Sequence, residues 1–149
     1  MTRCSRSVSA CAADQVATAF AETVIHESSA WHRGSWVVAE ADLTSRWVVS
    51  FQRPARPQLL LADLTGTALK ALGLNNDLSG GGYTHSQQWA RAIHEADRRW
   101  DGIRYVSRQN NTAFCYAVFE RSGMTKDGAA KLEGKLLEQL CDDFRVISI

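Results

Sequence analysis

The sequence has few cysteines, almost no net charge and no long apolar run, and each shortage excludes a class of protein. Four cysteines occur in 149 residues. None of them forms a C-x-x-C pair, so their spacing does not indicate a zinc site or a disulfide framework. We therefore predict free thiols in a reducing compartment. No segment approaches the roughly 18–20 consecutive apolar residues of a membrane span, and we expect a cytoplasmic protein without membrane contact.

The formal net charge is only +1. Proteins that bind nucleic-acid backbones usually carry a basic excess or a basic face. The one local basic cluster contains Arg91, Arg98 and Arg99, and a solvated helix face explains it. We keep nucleic-acid binding through these arginines as a weak hypothesis and expect no direct nucleic-acid partner.

Motifs for metal and phosphate binding are missing as well. His85 and His94 share one predicted helix, but they do not have the one-turn spacing that brings two ligands to one helix face. We therefore expect no metal cofactor. The glycine run Gly80–Gly82 lacks the G-x-x-x-x-G-K-[ST] pattern of a phosphate-binding loop, and we predict a mobile loop there.

The composition, with 45% hydrophobic and 22% charged residues, is that of a globular domain with its own core. β-branched and aromatic runs alternate with amphipathic segments, which predicts a single α+β domain with central β-strands and flanking helices. Predicted helices cover about 14–26, 65–74, 84–100 and 126–144. Predicted strands cover 36–43, 46–52, 58–64, 102–108, 112–121 and 145–149, and strand 58–64 is apolar enough for a central position.

Glu22 stands out in the first predicted helix. Val16, Phe20 and Val24 recur at i, i+4 and i+8 and should face the core, whereas Glu22 lies about 200° from Phe20 around the helix axis and stacks with Thr18. Either the wet side of a surface helix or a carboxylate directed into a site explains this position.

Ser107 is the second polar residue in apolar surroundings. It ends the predicted strand 102–108, and alternation places Ile103, Tyr105 and Ser107 on one face of that strand. A ligand could bind there, but a serine at a strand end also has ordinary structural roles. From the patterns alone the prediction stops at a soluble α+β domain.

Five sequence blocks, in this order and at this spacing, resemble the RES domain family: ACAADQVATAFAETVIHE, LLLADLTGTALKALGL, YTHSQQWARAIHEA, WDGIRYVSR and AFCYAVFER. The resemblance extends from about residue 10 to residue 149. The family comprises toxins of bacterial toxin–antitoxin pairs whose partner is an Xre-type helix-turn-helix antitoxin.

The resemblance implies an ADP-ribosyltransferase-like fold that takes NAD as its substrate and breaks the bond between nicotinamide and ribose, by hydrolysis or phosphorolysis. The family is named for an arginine, a glutamate and a serine. Glu22 matches the glutamate and Ser107 matches the serine, so both are expected to be catalytic. Glu22, Tyr105 and Ser107 are expected to contact NAD.

Two positions depart from the family pattern. The family's arginine belongs to an early strand, and Arg3 and Arg6, the arginines before the first block, lie outside any strand-like context. We therefore expect this chain to lack that strand and its arginine loop. Cys11 also occupies the place of a common tyrosine. A sheet edge left uncovered in this way would favour a homodimer.

Two functional hypotheses follow from the resemblance. The first is a toxin that consumes NAD and is neutralised by a cognate antitoxin. The second is a catalytically impaired relic that acts only as an antitoxin-binding module, and the missing arginine and Cys11 favour it.

Overall fold

The computed structural model describes residues 8–53, 55, 58–73 and 83–149, and the side chains of these residues except 8–11 and 83–86. The strands are β1 (Val8–Ala13), β2 (Ser29–His32), β3 (Ser35–Val38), β4 (Trp47–Gln52), β5 (Leu61–Leu64), β6 (Gly102–Val106), β7 (Phe114–Phe119), β8 (Thr125–Lys131) and β9 (Val146–Ser148). Helix α1 has three parts, an α-helix over Val16–Phe20, a π-helical turn over Ala21–Ile25 and a last α-helical turn over His26–Ser28. The other helices are α2 (Glu40–Thr44), α3 (Gly66–Ala71), α4 (Tyr83–Ala96) and α5 (Gly134–Phe144), and a 3₁₀ turn covers Glu120–Ser122.

The largest sheet has the strand order β1-β7-β6-β5, in which β7 runs antiparallel to both of its neighbours and β5 runs parallel to β6. A second sheet has the order β2-β3-β9, and β4 pairs with β8 in a third. Helices and strands thus form one α+β domain, as the sequence predicts. No helix in the described part of the chain is both long and apolar enough to cross a membrane.

One hydrophobic core lies against α1. Phe20, Ala21, Val24 and Ile25 are buried there. They pack with residues from the second sheet, α2, the segment after β8 and α5: Val38, Leu43, Leu132, Leu140 and Val146. The predicted stripe is therefore correct at Phe20 and Val24. It is wrong at Val16, which is 36% exposed because it begins the helix at an open surface.

A second core lies between the largest sheet and helices α3 and α4. Its buried members are Ala62, Leu64, Leu69, Ala90, Ile103 and Phe119. Ile93 and Tyr105 pack against this cluster. The buried face of α4 therefore runs through Ala90 and Ile93, whereas Ala92 and Ala96 are exposed.

Three predicted elements differ from the structure. The predicted strand 36–43 ends at Val38, because α2 begins at Glu40, whose carboxylate lies favourably in the first helical turn. The predicted connection after α1 contains β2, joined to β3 through Arg33 and Gly34, which both have positive φ, as the tight turn of a twisted hairpin requires. Residues 125–131 form β8 instead of helix, since they pair with β4 along its length.

The predicted central position of strand 58–64 is also wrong. Only Leu61–Leu64 forms a strand, and β5 is the last strand in the order of its sheet. Helices α3 and α4 bury its apolar side chains on one face of the sheet. A hydrophobic run therefore does not show that a strand has a neighbouring strand on both sides.

A buried ion pair ties the exit of β4 to the entry of β6. The guanidinium of Arg53 donates to both carboxylate oxygens of Asp101, at 2.9 and 2.8 Å, and the two side chains are 9% and 8% exposed. Asp101 also accepts a hydrogen bond from the Leu60 amide at 2.8 Å. The pair therefore fixes two connections that are distant in sequence.

Arg121 caps the carboxyl end of α4. Its guanidinium donates to the carbonyl oxygens of His94, Asp97 and Trp100 at 2.8–3.0 Å and lies over the Phe119 ring at 5.1 Å. Helix ends leave such carbonyls without intrahelical partners, and a cation there interacts favourably with the helix dipole.

We expect Arg121→Ala to lower the free energy of unfolding by about 1–3 kcal/mol, because three partly buried carbonyl acceptors lose a charged donor. Chemical denaturation monitored by circular dichroism measures this loss. Arg98→Ala, at an exposed arginine just after the end of α4, is the control and should leave the midpoint unchanged. An equal loss in both variants would contradict the capping role.

Candidate functional site

Glu22 and Ser107, 85 residues apart in sequence, are in direct contact. The Ser107 hydroxyl donates a hydrogen bond to Glu22 Oε1 at 2.6 Å. The backbone amides of Arg108 and Gln109 donate to the same oxygen at 2.8 and 3.2 Å. Three donors therefore converge on one carboxylate oxygen, while Oε2 accepts no hydrogen bond from the described residues.

The fold brings these residues together through the β6–β7 hairpin. β7 pairs on its other side with β1, and α1 begins at Val16, shortly after β1 ends. The helix therefore starts beside the loop end of the hairpin. The Ser107 amide donates to the Ala113 carbonyl at 2.9 Å, which closes the base of the connecting loop. Residues 107–113 thus lie next to the middle of α1.

Glu22 occupies a π-helical turn. The His26 amide donates to the Ala21 carbonyl, a bond one residue longer than in an α-helix. Such turns are rare and occur frequently at functional sites, because the inserted residue changes where the following side chains point. In this helix the carboxylate of Glu22 is half-buried, whereas its neighbours Ala21 and Val24 are in the core.

A second contact fastens the loop to α1 one turn before Glu22. Asn110 donates from its side-chain amide to the Thr18 hydroxyl at 3.3 Å, and from its backbone amide to Ser107 Oγ at 3.0 Å. Thr18 is fully buried. The i, i+4 spacing of Thr18 and Glu22 was the sequence signal for Thr18, but no pattern in the sequence indicated Asn110.

Tyr105 and Cys115 lie opposite one another in the register of β6 and β7. Tyr105 is half-buried and packs against the second core. Cys115 is a buried free cysteine. Burial and, to a smaller extent, the negative charge of Glu22 raise the pKa of the Cys115 thiol to about 12, against opposing hydrogen bonds with Ser107 and Tyr105. Cys115 therefore lies between Tyr105 and the Glu22–Ser107 pair.

Because the thiolate is the reactive form of cysteine, we expect Cys115 to resist alkylation in the folded protein. At pH 10 only about one thiol in a hundred is ionised if the pKa is about 12, whereas an ordinary thiol is mostly ionised. Labelling with iodoacetamide followed by peptide mass spectrometry measures this. The same cysteine in urea-unfolded protein is the control, and rapid labelling of Cys115 at pH 8 in the native state would contradict the environment described.

The described residues also line a cavity of about 600 Å³ between α1, β1, β4 and β7. Its walls include Val16 and Thr23 of α1, Trp47 and Phe51 of β4, and Tyr116 of β7. Neither Glu22 nor Ser107 lines it. The cavity and the hydrogen-bonded pair are therefore separate features of the structure.

Several other predictions concern charge and metal binding. Of the basic cluster, Arg91 pairs with Glu95 at 2.7 Å and Arg99 pairs with Asp97 at 2.7 Å. These pairs reduce the positive charge that the cluster offers to a nucleic acid. Among the described side chains, no group of three or more histidines, cysteines or carboxylates is placed to hold a metal ion.

Some predicted positions lie outside the described residues or side chains. These are Arg3, Arg6 and the glycine run Gly80–Gly82. The backbone of Cys11 belongs to β1 and pairs with Ala117, but its side chain is outside the described set.

Comparison with known proteins identifies one family. The family model described as RES domain matches residues 11–132. Those residues include Glu22, the β6–β7 hairpin and Ser107. No curated protein and no solved structure matches the chain.

Proposed function

Because the chain belongs to the RES domain family, which is known generally in toxin–antitoxin systems, we propose that it is a toxin-type enzyme that cleaves the nicotinamide–ribose bond of NAD. The arrangement of Glu22 supports this proposal. One carboxylate oxygen accepts three hydrogen bonds, and the other accepts none from the described residues, so we assign it to the ligand.

Departure of neutral nicotinamide takes the electron pair of the C–N bond and leaves positive charge on the ribose. A carboxylate fixed before the reaction stabilises that charge without the cost of reorientation. The same stabilisation of an oxocarbenium-like centre operates in glycoside hydrolysis. Oε2 of Glu22 is the atom we assign to this role. Water or phosphate then forms the new bond to the ribose carbon and loses its proton to solvent.

Ser107 has a different part. Its only hydroxyl proton goes to Glu22, its oxygen accepts from Asn110, and the residue is 2% exposed. We propose that Ser107 holds the Glu22 carboxylate in its orientation. Ser107 then acts on NAD indirectly, through Glu22. Tyr105 lies opposite Cys115 in the register of β6 and β7, and direct contact of Tyr105 with NAD stays a prediction.

An Xre-type helix-turn-helix antitoxin is the partner we propose for neutralisation, by analogy with the family. Pairing of two copies of the chain also stays a prediction.

The purified chain tests the proposal directly. Incubation with NAD should release nicotinamide, measured by liquid chromatography, and a parallel reaction in phosphate buffer separates hydrolysis from phosphorolysis by the mass of the ribose product. No release by a folded protein would reject the proposal. Growth of cells that express the chain alone, with retained binding of an antitoxin, would then select the non-catalytic module.

A further inference from the structure

We propose that Arg108 binds the diphosphate of the substrate, an inference that rests on the proposed function. Nothing in the family match assigns a role to this residue.

The position follows from the backbone. The Arg108 amide donates to Glu22 Oε1 at 2.8 Å, so the arginine begins directly at the proposed reaction centre. The residue is exposed, whereas Ser107 before it is buried. Its long side chain is therefore anchored beside the carboxylate and is accessible to solvent.

Most arginines of the described chain are already held by other groups. Those engaged in ion pairs or carbonyl contacts are Arg46, Arg53, Arg91, Arg99, Arg104 and Arg121. Among the described residues Arg108 has no ion pair and no side-chain hydrogen bond. Other arginines share this state, including Arg98, but Arg108 is the one whose backbone contacts Glu22.

The negative charges of NAD and Glu22 favour a positively charged side chain between them. NAD carries two negatively charged phosphates, and Glu22 adds a third negative charge close to them. A guanidinium next to Glu22 offsets this repulsion, and its planar set of donors matches phosphate oxygens in pairs. Arg108 should therefore contribute to binding of the diphosphate and little to the bond-breaking step.

The experiment compares ligands with and without the diphosphate. Arg108→Ala should raise KM for NAD about 10–100-fold, the effect of one lost charge-assisted contact, with kcat nearly unchanged. Cleavage of nicotinamide riboside, which has no phosphate, should be the same in the variant and the wild type. Arg108→Lys should recover part of the affinity, because it restores the charge but not the planar donors. Arg98→Ala, another exposed arginine, is the matched control and should behave as wild type.

Isothermal titration with ADP-ribose separates this inference from the proposed function, since ADP-ribose keeps the diphosphate and lacks the bond to be cleaved. Binding by wild type that weakens in Arg108→Ala and at high salt supports the inference, even if no nicotinamide is released. Nicotinamide release with equal ADP-ribose binding by wild type and Arg108→Ala overturns the inference and leaves the proposed function standing. Absence of ADP-ribose binding by the folded wild type overturns the inference.

Discussion

Glu22→Gln is expected to lower kcat for nicotinamide release at least about 10³-fold, which corresponds to about 4 kcal/mol of lost transition-state stabilisation. The amide is nearly the same size as the carboxylate and can still accept from Ser107, Arg108 and Gln109 through one oxygen. The substitution therefore removes the negative charge while it preserves the anchor of the loop. KM for NAD should change much less than kcat, because the charge is needed mainly when the ribose becomes positive.

Glu138→Gln provides the matched control. Glu138 lies exposed on α5, and the same change of charge there should leave kcat unchanged. Circular dichroism and thermal unfolding of Glu22→Gln should show a native fold with a loss of stability of about 1 kcal/mol, the difference between charged and neutral hydrogen bonds. Full activity of folded Glu22→Gln would show that this carboxylate is only an anchor for residues 107–110.

Asp101→Ala is expected to lower the free energy of unfolding by about 3–5 kcal/mol. The change leaves the buried guanidinium of Arg53 without its partner and removes the acceptor of the Leu60 amide. An unpaired buried charge costs far more than the pair itself contributes. Urea denaturation at fixed pH measures the loss, with tryptophan fluorescence as the signal.

An exposed pair and a double variant complete that test. Glu95→Ala breaks the exposed pair with Arg91 on α4 and should leave stability unchanged within error, because solvent screens such pairs. Arg53→Met combined with Asp101→Leu should recover part of the loss, since it replaces both charges with apolar groups. A loss in Asp101→Ala no larger than in Glu95→Ala would contradict the assigned importance of the buried pair.

Local pattern predicted much of the secondary structure. The amphipathic stripe of α1 is correct at Phe20 and Val24, and the alternation along β6 correctly places Ile103 and Tyr105 together against a core. The predictions were wrong where pairing with another strand determined whether a segment became helix or strand. Residues 125–131 contain alanines that are compatible with helix, but β4 pairs with them along six positions. β-Strand preference depends on the neighbouring strand more than on the residue, so the sequence of one segment does not reveal it.

For the candidate site, too, the sequence indicated some residues and not others. Glu22 and Ser107 were found as polar residues in apolar surroundings and through the resemblance to a family. Asn110 and the two amides that hold Glu22 were not predicted, because backbone donors carry no residue-specific signal. Whether NAD contacts these residues stays a prediction.

By itself, the sequence determined the class of the chain, an α+β domain of the RES family, and the two residue types available for chemistry. Only the tertiary structure decided that Oε1 of Glu22 accepts hydrogen bonds from Ser107, Arg108 and Gln109, while Oε2 accepts none from the described residues. The reason is that hydrophobic periodicity records which side of a helix or strand is buried, but not which distant loop meets its polar side. That contact depends on β1 and β6 both pairing with β7, which places α1 beside the hairpin that carries Ser107.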